Sequence, residues 1–149
     1  MNLPSYLKSL EYVGIPLIKE GTGHLMVQAK ANGEDITLIV DTGASRTSLA
    51  ESSMERLRLV PGRIEQATAL SLPRRTAALS TLYSLDIGSL SITNFEVWIV
   101  DFSYINMVLQ IKGISCDGVL GADVLITRSA VIDYRGCKLY LKENRQNQR

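Results

Sequence analysis

Residues 36–49, ITLIVDTGASRTSL, run a nearly unbroken apolar strand into an aspartate, Asp41, and follow it with glycine, alanine and a series of hydroxyls. A carboxylate at the end of a buried strand is costly unless it is paired, hydrogen-bonded or protonated. The fold must therefore bring to that strand end the groups that share the charge. One aspartate alone is a poor hydrolytic group. Two carboxylates about 3 Å apart cannot both ionise, so they share one proton. One then acts as general base on a water while the other, protonated, polarises a carbonyl.

The chain offers no clear second copy of this stretch. Asp86-Ile87-Gly88-Ser89 comes nearest, but SITNFEVW follows it, a strand rather than hydroxyls and a helix. The simpler source of a second carboxylate is a second copy of the chain, related by a two-fold axis.

Composition excludes several other classes. With 149 residues, 46% of them hydrophobic, the chain has the size and apolar content of one domain with a real core. Its formal net charge of +1 gives no reason to expect nucleic acid as a partner. No apolar run approaches the length of a membrane helix. MNLPSYLKSLEYVGIPL lacks a basic start, and Lys8 and Glu11 interrupt it, so it does not read as a signal peptide and the chain is expected to be cytoplasmic. Cys116 and Cys137 are too few for a disulfide scaffold and are expected to be free thiols. One histidine and scattered cysteines assemble no zinc site, so no metal or cofactor is expected.

The pattern along the chain is mostly β. Pro4 and Pro16 break up the first twenty residues. LMVQAKANGEDITLIV reads as a hairpin turning at Asn32-Gly33. LAESSMERLR, 49–58, has helical spacing and helix formers. Residues 63–83 read as a protruding hairpin turning around Pro73-Arg74-Arg75. LYSLDIG and SITNFEVWIV are two strands joined at Gly88-Ser89, and 107–112 is a further candidate strand. GVLG, 118–121, is a short buried strand leading into a helical turn at 122–128. SAVIDY and CKLYLK form a last hairpin at Arg135-Gly136, and the polar ENRQNQR reads as a disordered tail. The organisation expected is an N-terminal extension over 1–23, one domain over 24–142 and a tail over 143–149.

Asp41-Thr42-Gly43-Ala44-Ser45 after LIV resembles the active-site motif of retropepsin-like aspartic proteases. Gly118-Val119-Leu120-Gly121-Ala122-Asp123-Val124-Leu125 resembles the hydrophobic-hydrophobic-Gly motif that follows the flap in that family. The order of elements matches too, over roughly 24–142, and is closer to cellular and bacterial single-domain members than to viral ones. Pepsins differ: they carry two motifs on a chain about twice as long.

The resemblance implies a closed, mostly-β acid-protease barrel with one or two short helices, acting as a homodimer on peptide or protein substrates. Asp41 is then the catalytic carboxylate, one per subunit. Thr42 is expected to hydrogen-bond across the two-fold axis, and Gly43 to admit close approach and hold substrate main chain. Ala44 completes the loop and Ser45 hydrogen-bonds near the carboxylate. Val119 and Leu120 are expected to lie under the site and contact substrate. Gly118, Gly121 and Asp123 are expected to be structural, with Gly121 letting the strand pass beneath the loop. Residues 63–83 become the flap, with Leu72, Pro73 and Arg74 at its substrate-facing tip.

The chain departs from the family at that tip. Ser71-Leu72-Pro73-Arg74-Arg75-Thr76 contains no glycine, and proline withholds a backbone donor. This keeps open a non-catalytic peptide-binding or dimerisation module, and a protease limited to itself or one dedicated substrate. Other residues read more plainly. Ser45, Thr47 and Ser48 are candidate helix caps. A serine nucleophile is disfavoured because nothing ties His24 to Ser45. Asp117 fits the edge of the cleft, and Trp98 the core.

Overall fold

The computed structural model describes residues 1–69, 72–103, 105–107 and 115–144, and at 68, 69 and 72–75 the backbone alone. Strands dominate. After a short helix α1 (Leu3–Ser9) come β1 (Tyr12–Pro16), β2 (Ile18–Lys19), β3 (Leu25–Ala31) and β4 (Glu34–Val40). β5 (Ser48–Ala50), β6 (Ile64–Ala69), β7 (Leu72–Ile87) and β8 (Leu90–Val100) follow. β9 (Gly118–Leu120), helix α2 (Ala122–Thr127), β10 (Val131–Asp133) and β11 (Lys138–Lys142) close the chain.

The larger sheet has the order β2-β3-β4-β9-β5-β8-β7-β6, and β7 pairs back onto β3 through Lys30–Asp86 and Ala31–Leu85. That pairing closes β3, β4, β9, β5, β8 and β7 into a barrel and leaves β2 and β6 outside it. Inward positions follow the two-residue period of a strand. On β3, Val27, Ala29 and Ala31 are buried while Gln28 and Lys30 face out. Leu38, Leu49, Leu82, Val97 and Leu120 meet inside the barrel. Each buried leucine contributes about 2 kcal/mol of apolar transfer.

The β3–β4 hairpin turns at Asn32 and Gly33, with φ of 50° and 83°, as a tight two-residue turn requires. Asn32 is also buried. Its amide donates to the Leu57 carbonyl at 2.8 Å, and its side-chain oxygen accepts from the Tyr83 and Ser84 N–H groups at 2.7 and 3.3 Å.

Four expectations need correction or qualification. Residues 49–58 are not a helix. Ser48–Ala50 is strand β5, Glu51–Ser53 a single 3-10 turn, and 54–58 turns. Leu49 is held between Ile99 of β8 and Gly118 of β9, and ladder pairing on both sides overrides a local helical preference. The 63–83 hairpin exists, but Pro73 and the arginines are not its turn. Ala69 pairs with Leu72 and Ala67 with Arg75, so Leu72, Pro73, Arg74 and Arg75 are strand residues. Thr68 then faces both Pro73 and Arg74 in a bulge, a place where a strand tolerates a proline.

Residues 1–23 are built into the domain. β1 pairs along β11, β2 pairs with β3, and Ile15 and Leu17 are buried in the main core. Of the candidate strand at 107–112, Met107 is helical and 108–112 lie outside the described residues, as does the tail from 145 onward.

Candidate active site

The chain leaves β4 at Val40, crosses over the end of β9, and re-enters the sheet as β5 on the far side. Residues 41–47 are that crossing. β9 runs parallel to β4 and antiparallel to β5 beneath it. The two motifs, some 75 residues apart in sequence, are therefore one structural unit.

Asp41 is half-buried at the start of the crossing. Its N–H donates to the Leu120 carbonyl at 3.0 Å, continuing the β4–β9 ladder. Its Oδ1 accepts the Gly43 N–H at 2.9 Å, and its carbonyl accepts the Ala44 N–H at 3.2 Å. The loop thus turns tightly on Asp41 and fixes the orientation of its carboxylate. A Cβ on Gly43 would stand 3.3 Å from Oδ1. Thr42, Gly43 and Ser45 are exposed, and Ala44 is buried with Met26, Ile39, Ala50, Phe102 and Val119.

The second motif clamps the loop from below. Ala122 N–H donates to the Ala44 carbonyl at 2.7 Å. Gly121 N–H donates to Thr47 Oγ1 at 3.1 Å, and Thr47 Oγ1 donates to Asp123 Oδ1 at 2.7 Å. A Cβ on Gly121 would come within 2.6 Å of the Arg46 carbonyl carbon, and one on Gly118 would overlap the Ser48 carbonyl oxygen. Gly121 has φ of −99°, so close approach, not backbone freedom, is why glycine stands there.

Leu120 corrects the expectation of substrate contact. It is fully buried in the barrel core, and its contribution to the loop is the carbonyl that receives the Asp41 N–H. Val119 packs beneath the loop, 8% exposed. The backbones of Leu72, Pro73 and Arg74 lie in β7 of the hairpin. Asp117 is tied into the structure by its side chain. Its carboxylate accepts from Thr37 N–H at 2.9 Å, from Ser53 Oγ at 3.1 Å and from Arg56 at 2.6 Å. Thr37 stands four residues before Asp41 on β4, so Asp117 is about 13 Å along the strand from it.

The loop also touches β8. Trp98 N–H donates to the Thr47 carbonyl at 3.1 Å, and the Arg46 guanidinium lies 5.5 Å from the Trp98 ring centroid. Thr47, Arg46 and Trp98 support the site; the sequence read Thr47 as a candidate helix cap and Trp98 as core, and left Arg46 unassigned. A hydroxyl six residues beyond the aspartate is the one local hint, for Thr47 alone. Among the described residues, no cluster of three or more His, Cys, Asp or Glu side chains could hold a metal ion.

An aspartyl protease family model matches residues 27–124, a span holding the Asp41 motif, the hairpin and the second motif as far as Val124. The chain belongs to the aspartyl protease family. The fold is similar to that of a retropepsin-like aspartic protease from Rickettsia conorii, at TM-score 0.60 and 24% identity over 88% of this chain and 90% of that one. It is also similar to the retroviral protease-like domain of Ddi1 from Leishmania major, at TM-score 0.55 and 18% identity over 85% of this chain and 98% of that one. EIAV protease complexed with the inhibitor HBY-793 aligns at TM-score 0.51 and 17% identity, over 72% of this chain and 90% of that one. These likenesses establish the retropepsin-like fold. No curated protein matches the chain. No described helix is long and apolar enough to cross a membrane.

Proposed function

We propose that this member of the aspartyl protease family is an aspartic endopeptidase acting as a homodimer, in which Asp41 and its symmetry mate activate one water against a peptide bond. The observation that carries the reading is the Asp41 loop: a half-buried carboxylate oriented by the Gly43 N–H, beside exposed Thr42 and Gly43, on a crossing clamped to β9. One chain contributes one such carboxylate. A second copy placing its own loop against the first supplies the pair that shares a proton. Thr42 fits the contact between the loops, and Gly43 leaves room for substrate main chain. The β6–β7 hairpin, whose first residues of β7 extend past the end of β8, serves as the flap over an extended peptide.

The test is cleavage of a diverse peptide library by wild type and by Asp41→Asn, from about pH 4 to pH 7.5, where a proton-sharing pair is expected to lose its shared proton. Sedimentation accompanies it. Wild type is expected to cut and to sediment as a dimer, and Asp41→Asn to be inert and still dimeric. Residual hydrolysis by pure Asp41→Asn would remove Asp41 from its role. The second reading is a module that holds peptides without cutting them. Pro73 in β7, which withholds a backbone donor from the hairpin, favours it. Peptide bound but uncut by a wild-type dimer is its signature.

A further inference from the structure

The β6–β7 hairpin and the Asp41 loop meet on a single side chain. Trp98, on β8, is the one tryptophan in the chain and is 8% exposed. Its ring packs with Ala77 and Leu79 of β7, and Ala67 of β6 lies against the same cluster. Its indole N–H donates to Glu65 Oε2 on β6 at 3.0 Å. Arg46 of the loop covers its face, and its backbone N–H holds the Thr47 carbonyl. A buried indole N–H requires an acceptor, and here the hairpin's first strand provides it.

Two ion pairs flank this arrangement. Arg63 pairs with Glu65 at 3.1 Å, and Arg46 pairs with Glu96 at 3.4 Å. Glu65 is on β6, Arg46 on the loop and Glu96 on β8; β7 stands between β6 and β8 in the sheet, so the direct link from β6 to β8 and the loop runs through these side chains. Donation by the Trp98 indole, the largest influence, holds the Glu65 carboxyl below its ordinary value of 4.5 against an opposing push from burial, and Arg63 and Arg46 lower it further.

Resting on the reading of β6–β7 as a flap, we propose that Glu65, Trp98 and Arg46 are positioning residues, a joint that sets the flap's pose over the Asp41 loop and so how firmly substrate is held. The hairpin cannot tilt away without pulling Glu65 off the indole edge. The loop cannot shift without moving Arg46 off the indole face. Trp98 transmits one displacement to the other.

The lone tryptophan makes the joint directly observable. In acid titration of wild type, Trp98 emission is expected to change with a midpoint below 4.5, because the lowered carboxyl must protonate before the indole loses its charged acceptor. The charged groups that face the joint are Arg63 on the hairpin, Arg46 on the loop and Glu96 on β8, and Glu96→Gln is expected to leave the transition in place. Glu65→Leu removes it. Glu65→Gln keeps an acceptor oxygen and is expected to give a pH-independent emission like that of wild type at neutral pH.

Hydrogen exchange in both 64–69 and 41–47 is expected to accelerate about fivefold in Glu65→Leu and to return toward wild type in Glu65→Gln. On a peptide that wild type cleaves, Glu65→Leu is expected to raise KM about fivefold with kcat within about twofold, again rescued by Gln. Emission and exchange that ignore Glu65→Leu, or equal effects of Leu and Gln, would overturn the joint. These two readouts need no catalysis, so a chain that cuts nothing would defeat the proteolytic reading while they still decide this one.

Discussion

The Asp123 carboxylate receives the Thr47 backbone N–H on both oxygens, at 3.0 and 2.9 Å, and the Thr47 hydroxyl at 2.7 Å. Thr47 is fully buried, so without Asp123 its donors have nowhere to go. Asp123→Ala is expected to cost about 2–4 kcal/mol, the penalty of a buried group stripped of a charged partner. Asp123→Asn, which still offers one acceptor, should cost about half as much. Urea midpoints at unchanged m-value measure both. Equal stability of all three proteins would mean the clamp is not structural.

Gly118 and Gly121 are predicted to be far less replaceable than Gly23. A Cβ on Gly118 or Gly121 would run into the backbone at 46–49, and alanine at either is expected to cost more than about 2 kcal/mol through forced backbone shifts. Gly23 has φ of 85° and open space around its Cβ position, so Gly23→Ala meets only the left-handed conformational penalty of about 1 kcal/mol. Thermal melts of the three variants order them directly.

Asn32 combines two demands, and paired substitutions separate them. Asn32→Gly keeps the positive φ but loses the bonds to Leu57, Tyr83 and Ser84, at an expected cost of about 2 kcal/mol. Asn32→Ala loses both and should cost about 1 kcal/mol more. Identical denaturation curves for Gly and Ala would show that the turn conformation carries no strain.

Burial pushes the Cys116 thiol above its ordinary value, with the adjacent Asp117 charge acting the same way. A raised thiol stabilises the fold below the ordinary thiol range, and that contribution fades as pH rises through the folded value. Cys116 is therefore expected to alkylate with iodoacetamide at pH 8 about tenfold more slowly or worse than in urea-unfolded protein. Peptide mass mapping reads the two rates. Stability measured toward alkaline pH should fall less steeply in Cys116→Ser.

Much of the barrel was legible because its signals are short-ranged. Asn32-Gly33 announces a hairpin within a few residues, Gly88 turns β7 into β8, and Val131–Asp133 with Lys138–Lys142 close the chain as the alternation suggests. The helix read at 49–58 failed because Leu49 belongs to a ladder whose other strands lie about 50 and 70 residues downstream. The hairpin tip failed because Pro73 reads locally as a turn. Only the pairing of Ala69 with Leu72 reveals the bulge that accommodates it.

The sequence by itself determined that an apolar strand ends in Asp41 and turns through Gly43, and that GVLGAD forms a tight strand–helix junction, because each is governed by neighbours in the chain. Tertiary structure decided that β9 slots between β4 and β5 beneath the loop, that Asp123 finds Thr47, and that Trp98 joins Glu65 to Arg46. Hydrogen-bond partners 76 residues apart leave no period or motif in either segment. Such partners become definite when the closed barrel brings their strands within reach of each other.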